Sequence, residues 1–236
     1  MNSVEIHAKR LLVDQWNNVV TQLTRLSLPD TRPIDGHQIF ELIDYPRVAG
    51  QIGFTVNPVT FNVPERADGP ADMYVTVKGR LYLDEAAMRV SRKLKTVSFG
   101  TEVAYFRMRR EKLNHVYGAH YDFSLDEIGH PIFHGQMKSF ADRGQLVSDT
   151  FTLDCEYEDH IPNILRTVRV PTAQMDFFAL VLQLSADHLM SKNSSAEQRE
   201  AFEDLRKASF SIQGAGHLWA QLVQAPTCMR TQHWYR

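Results

Sequence analysis

Apolar residues recur at Ile6, Leu11, Leu12, Val19, Val20, Leu23 and Leu26, the three-to-four spacing of an amphipathic helix, which predicts a helix over Val4–Leu26 that ends before Pro29. From Pro29 to Pro70 prolines alternate with Gly36, Gly50, Gly53 and Gly69, so this stretch reads as short strands and turns. Within it, IGFTVNPVTFNV (52–63) is strand material that Pro58 interrupts. Met73–Leu83 and Thr101–Arg110 carry β-branched and aromatic residues in partial alternation and predict two more strands. EAAMRVSRKLK, between them, has better helix formers and predicts a short helical bridge.

HVYGAHYDFSL, HPIFHGQMKSF and LVSDTFTL follow at the short intervals of an antiparallel meander, and LRTVRV adds a last strand before Pro171. Beyond Pro171 the pattern turns helical. Thr172 is placed to cap a helix over AQMDFFALVLQLSADHLM, which is apolar on most of its circumference and therefore buried in a core or at a subunit interface. Ser194 and Glu197 have capping-box spacing ahead of a second helix over Ala196–Phe210, and a third is expected over Gly216–Gln224. The aromatic end TQHWYR is expected to dock on something. The resulting expectation is one compact α+β domain over 1–236: an N-terminal helix (1–28), a mainly β part (38–170) with an antiparallel sheet of five to seven strands, and a helical part (172–224) packed on it.

At 236 residues and 43% hydrophobic, the chain can bury a sizeable core. A net charge of -2 gives no global drive toward nucleic acid or an anionic membrane. Cys155 and Cys228 lack metal-type spacing and read as reduced thiols. The N-terminus lacks the uninterrupted apolar run of a signal peptide, and no stretch approaches a membrane span, so the expectation is a soluble cytoplasmic protein.

Local charge is more informative. Residues 78–112 hold ten basic side chains against four acidic ones, whereas 122–159 hold nine acidic against two basic. The basic run, with Tyr82, Phe99, Tyr105 and Phe106 interleaved, suits a nucleic-acid backbone, with Arg92, Lys93, Arg107, Arg109 and Arg110 as contacts; cross-strand ion pairing is the alternative fate of the same charges.

His115, His120, His130 and His134 fall close together with Asp122, Asp126 and Glu127 among them. In a meander His120 and Asp122 share one face of a strand, and His130 and His134 share a face of the next. His120, Asp122, His130 and His134 are therefore candidate ligands for a divalent metal, and His120, His130 and His134 candidate acid/base groups for phosphodiester cleavage; partners within the fold are the competing use. Pro131 excludes a helical reading of His130–His134. His188 and Asp187, at the end of the apolar helix, could approach these histidines. Cys155 is a poor nucleophile, because Asp149, Asp154, Glu156, Glu158 and Asp159 raise its thiol pKa. The chain has no GxxxxGK[ST], GxGxxG, GxSxG or HExxH, which disfavours the common ATPase, dinucleotide, α/β-hydrolase and zincin mechanisms.

HYDFSLDEIGHPIFHGQ followed some thirty residues later by VRVPTAQMDFFALVLQL resembles bacterial proteins of mobile-element and phage-defence islands, in which a His-Pro-x-x-His element precedes a strand ending in Arg-x-Pro and an apolar helix. The resemblance covers under a third of the chain and brings no catalytic assignment. It implies a subunit of a defence or mobile-element complex that binds a protein partner or a second copy of itself, and with the basic run nucleic acid too. The histidines imply a different class, a metal- or histidine-dependent nuclease or other phosphodiester hydrolase.

Overall fold

The computed structural model describes residues 1–26, 36–44, 49–65, 69–110, 112–123, 133–137, 155–156, 169–172 and 174–210. Helix α1 spans Ser3–Arg25, capped by Asn2, whose side chain accepts the N–H groups of Val4 and Glu5 while Glu5 reaches back to the Asn2 backbone. Four residues, Gly36–Ile39, form α2 and lead directly into β1 (Phe40–Leu42). Strands β2 (Gln51–Val63), β3 (Met73–Asp84), β4 (Thr96–Arg109), β5 (Lys112–Phe123) and β6 (Phe133–Met137) continue an antiparallel meander in spatial order, and β8 (Arg169–Pro171) pairs antiparallel with β6. The two-residue β7 (Cys155–Glu156) makes the single parallel pairing among the described strands, with β5. Helices α3 (Glu85–Ser91), α4 (Phe177–Leu189) and α5 (Ala196–Phe210) complete the described chain.

The fold is α+β, as expected: an N-terminal helix, an antiparallel sheet and C-terminal helices. Several local features differ from the sequence reading. Pro58 does not end its strand; β2 runs through it, with a register shift between Val56 and Val59. The bulge leaves Pro58 out of the pairing register with β3, which is how a residue without an N–H is tolerated inside a strand. It also resets the pleat, so that Phe54 and Val56 before it and Val59, Phe61 and Val63 after it all face the core. β4 begins at Thr96 and carries Gly100 within it, where the sequence suggested a boundary.

The cap of α4 is Asp176, which is fully buried and accepts from Phe178 and Ala179; Thr172 instead donates its N–H to Phe133 and belongs to the β6–β8 junction. The box ahead of α5 is Ser195 with Gln198, one residue beyond the expected pair. LVSDTFTL, the helix expected over 216–224 and the aromatic terminus lie outside the described residues.

The helices cover one face of the sheet. Trp16 of α1 and Phe40 of β1 meet Phe177 at ring separations of 5.6 and 6.2 Å, and Phe40 stacks on Phe178 at 6.1 Å. Val75, Val77, Leu81 and Leu83 supply the floor from β3. At about 1.5–3 kcal/mol per buried large apolar side chain, this layer dominates the favourable side of folding. Among the described residues no helix is long and apolar enough to cross a membrane.

Asp84 closes β3 and caps α3, accepting the Ala87 N–H at 3.0 Å and Lys95 Nζ at 3.1 Å. The Ala87 bond, opposed by partial burial and reinforced by Lys95, holds its carboxyl below the ordinary value of 3.8. A depressed carboxyl stabilises the fold above its unfolded pKa and ceases to do so as pH falls through the folded one. Asp84→Asn keeps an acceptor but no charge, so its urea midpoint is expected to lie below wild type at pH 7, with the gap closing progressively below pH 3.8. A gap that persists to about pH 2 would mean the charge is not what matters.

Candidate functional site

Strand pleating sends alternate side chains to the face opposite the helices. On that face the pairings place Thr55, Arg80, Gly100, Asp122 and His134 side by side across β2 to β6. The next row holds Lys78, Glu102, His120 and Gln136. A cleft of about 740 Å³ lies over these rows, with Asn57 and Pro58 of the β2 bulge at one end and His120 and Asp122 at the other. Asn57 is itself fixed, donating to the Gln38 carbonyl and to Glu41 Oε1, each at 2.8 Å.

His120, Asp122 and His134 each present a potential ligand atom, and these atoms lie within 4.8 Å of one another. His134 Nδ1 is 2.8 Å from Asp122 Oδ1, and His120 Nε2 is 3.7 Å from Asp122 Oδ2. The imidazole rings stand nearly perpendicular, 5.8 Å apart. Burial is graded: His134 is 1% exposed, His120 24% and Asp122 38%. One buried donor and two partly exposed ones converge at the end of the cleft, which His120 and Asp122 line. Metal bonds of about 2.0–2.1 Å put neighbouring tetrahedral donors about 3.3–3.4 Å apart, within the spread seen here, so the donor set fits a small divalent ion.

His130 lies outside the described residues. His115 points to the same side as His120 but sits roughly 15 Å further along β5, edge-on to Phe106 at 5.4 Å. His188 does not approach the strand histidines: α4 lies on the other face, where His188 Nδ1 is 2.9 Å from the Pro64 carbonyl and its ring 5.9 Å from Tyr105. Burial, with Tyr121, Asp187 and Tyr117 nearby, raises the phenol of Tyr105 above its ordinary value.

The basic candidates separate. Arg92, in the left-handed conformation, caps α3, and Lys93 follows it; Arg107, Arg109 and Arg110 are at the far end of β4, roughly 40 Å away along the strand. Arg107 pairs with Glu65 at 2.7 Å, Lys95 with Asp84 at 3.1 Å and Lys78 with Glu102 at 3.2 Å. Arg80, one of the ten basic residues of 78–112 but not among the expected contacts, lines the cleft instead. Its place over the cleft is invisible in sequence because Arg80 and Asp122, 42 positions apart, come onto one row only through register.

Two glycines on neighbouring strands, Gly79 opposite Thr101 and Gly100 opposite Arg80, shape the floor differently. A side chain at Gly79 would collide with the Gly100 carbonyl, whereas among the described residues nothing lies within 4 Å of where a Gly100 Cβ would be. At the other end of the site, Tyr121 projects to the reverse face and its ring lies against Gly135, leaving 2.8 Å for a Cβ there. Burial, with Tyr117 as neighbour and hydrogen-bond partner, raises the Tyr121 phenol too.

The segments that carry the sequence resemblance, His134 on β6 and Arg169–Pro171 on β8, are paired neighbours. Comparison with protein-family models, curated proteins and solved structures found no match to the chain.

The contrast between the glycines gives a stability test. Gly79→Ala is expected to cost about 1–3 kcal/mol through overpacking, and Gly100→Ala to lie within about 0.5 kcal/mol of wild type, both read from urea denaturation. Equal effects would show that the floor is not built as described.

Proposed function

We propose that the open face of the sheet carries a divalent-metal centre, held by His120, Asp122 and His134, and that the protein is a metal-dependent hydrolase of phosphodiesters. The observation that carries this reading is the convergence of three ligand-type atoms within 4.8 Å at the end of a cleft that also exposes Arg80. Two histidines and a carboxylate suit zinc with an open position for water. A bound ion of this kind supplies hydroxide at neutral pH and polarises a phosphoryl oxygen. His134 anchors the site from the interior, while His120 and Asp122, two apart on β5, orient the solvent side. In the reaction the oxygen of water bonds to phosphorus, the ester P–O bond breaks, and the proton lost by the water ends on the departing alkoxide.

The alternative, a binding subunit of a defence or mobile-element complex contacting nucleic acid through Arg92, Lys93, Arg107, Arg109 and Arg110, draws less support, because these residues fall at opposite ends of β4 and Arg107 is already paired.

Untagged protein is expected to retain near-stoichiometric zinc or manganese by elemental analysis, and to lose it in folded His134→Ala and Asp122→Ala variants. Zinc at about a hundredfold excess over its Kd is expected to raise the thermal midpoint by about 5–10 °C in wild type alone. Metal-dependent cleavage of a bis-aryl phosphodiester should disappear in both variants. A wild type that binds neither ion, or that loads iron alone, would overturn the hydrolytic reading, since two histidines and one carboxylate also serve iron(II) oxygenases.

A further inference from the structure

The row that contains Asp122 and His134 has a gap in its middle. Gly100 stands between Arg80 on β3 and Asp122 on β5, so the neighbours that would face each other across a side chain instead face an opening. Neighbouring strands are about 4.7–4.9 Å apart, which puts the Arg80 and Asp122 backbones about 10 Å from one another across the glycine. Among the described residues nothing fills the space above Gly100 within 4 Å of its notional Cβ, although the position is in the interior of the sheet and its φ is one that any residue can adopt.

The charges around this opening are unequal. Lys78, in the neighbouring row, is neutralised by Glu102 at 3.2 Å. Arg80 is exposed, and among the described residues no carboxylate pairs with it. A planar guanidinium that faces an open cleft, next to a site suited to a cation, presents a two-point arrangement for an oxyanion.

We infer that the opening over Gly100 is a seat for a tetrahedral oxyanion, the phosphoryl group of a phosphate ester, gripped by Arg80 on one side and directed at the His120–Asp122–His134 centre on the other. The second interaction rests on the metal reading above; the first does not. The seat spans one residue of one strand, so it takes a single phosphoryl group. The β2 bulge, with Asn57 and Pro58, lines the cleft beyond Arg80.

Inorganic phosphate is the probe. Its affinity is measured by calorimetry for zinc-loaded and zinc-free wild type, Arg80→Gln, Gly100→Leu and His134→Ala, with Arg92→Gln as a control outside the cleft. Arg80→Gln removes a charge-assisted hydrogen bond and is expected to weaken phosphate binding about 10- to 100-fold. Gly100→Leu, which occupies the seat without touching a metal donor, should weaken it at least about tenfold while zinc content and thermal midpoint stay at wild-type values. Arg92→Gln should change neither.

Unchanged phosphate affinity in Arg80→Gln or in folded Gly100→Leu would overturn the seat, as would a wild type that binds no phosphate; zinc retention in the same samples would leave the metal centre standing. Phosphate binding that depends on Arg80 and Gly100 in a protein that takes up no zinc would do the reverse, establishing the seat and removing the metal centre. Should Gly100→Leu fail to fold, Arg80→Gln decides alone.

Discussion

Strand register is the constraint on which the rest of this molecule depends. A slip of one residue between β4 and β5, or between β5 and β6, would send Asp122 or His134 to the helix-covered face and dissolve both the donor cluster and the core beneath it. The register is held from within: Phe54, Leu81 and Phe99 lie across three strands in one inward row, and Val59, Val77 and Val103 in another. Burying one face therefore specifies the other. The polar row of Arg80, Gly100, Asp122 and His134 is aligned by apolar packing on the opposite side of the sheet.

The two faces of the sheet carry different kinds of side chain. Helices α1 and α4 load one face with aromatic and aliphatic groups, with α5 packed on those helices, so the other face is free to carry charges that add little to folding. The bulge in β2 reconciles the two demands. It lets both halves of a thirteen-residue strand present apolar residues to the helices, and the same extra residue builds the rim of the cleft.

Much of the architecture was legible in the chain, because periodicity reports burial. The α1 stripe, the alternation of Met73–Leu83 and the apolar run after Pro171 each mark an element that packs on the core. Features set by geometry between elements were not legible. Pro58 reads as a break because a bulge is a property of two strands. Thr172 reads as a cap because the β6–β8 pairing that claims it involves residues nearly forty positions upstream. The pairing of His120 with Asp122 follows from their spacing on one strand. His134 joins them, and Arg80 and Gly100 approach them, only through hydrogen-bonded neighbours that no linear pattern records.

Tyr121 occupies the position between two candidate ligands yet points away from them, its ring laid against Gly135, the residue after His134. The ladder's backbone hydrogen bonds set the β5–β6 spacing, and the ring packed on Gly135 backs the stretch of β6 that carries His134. The candidate site is thus backed by packing on the opposite face of the sheet. A change at the Tyr121–Gly135 joint would therefore reach the candidate donors through the backbones of β5 and β6 while leaving the set of donor atoms intact.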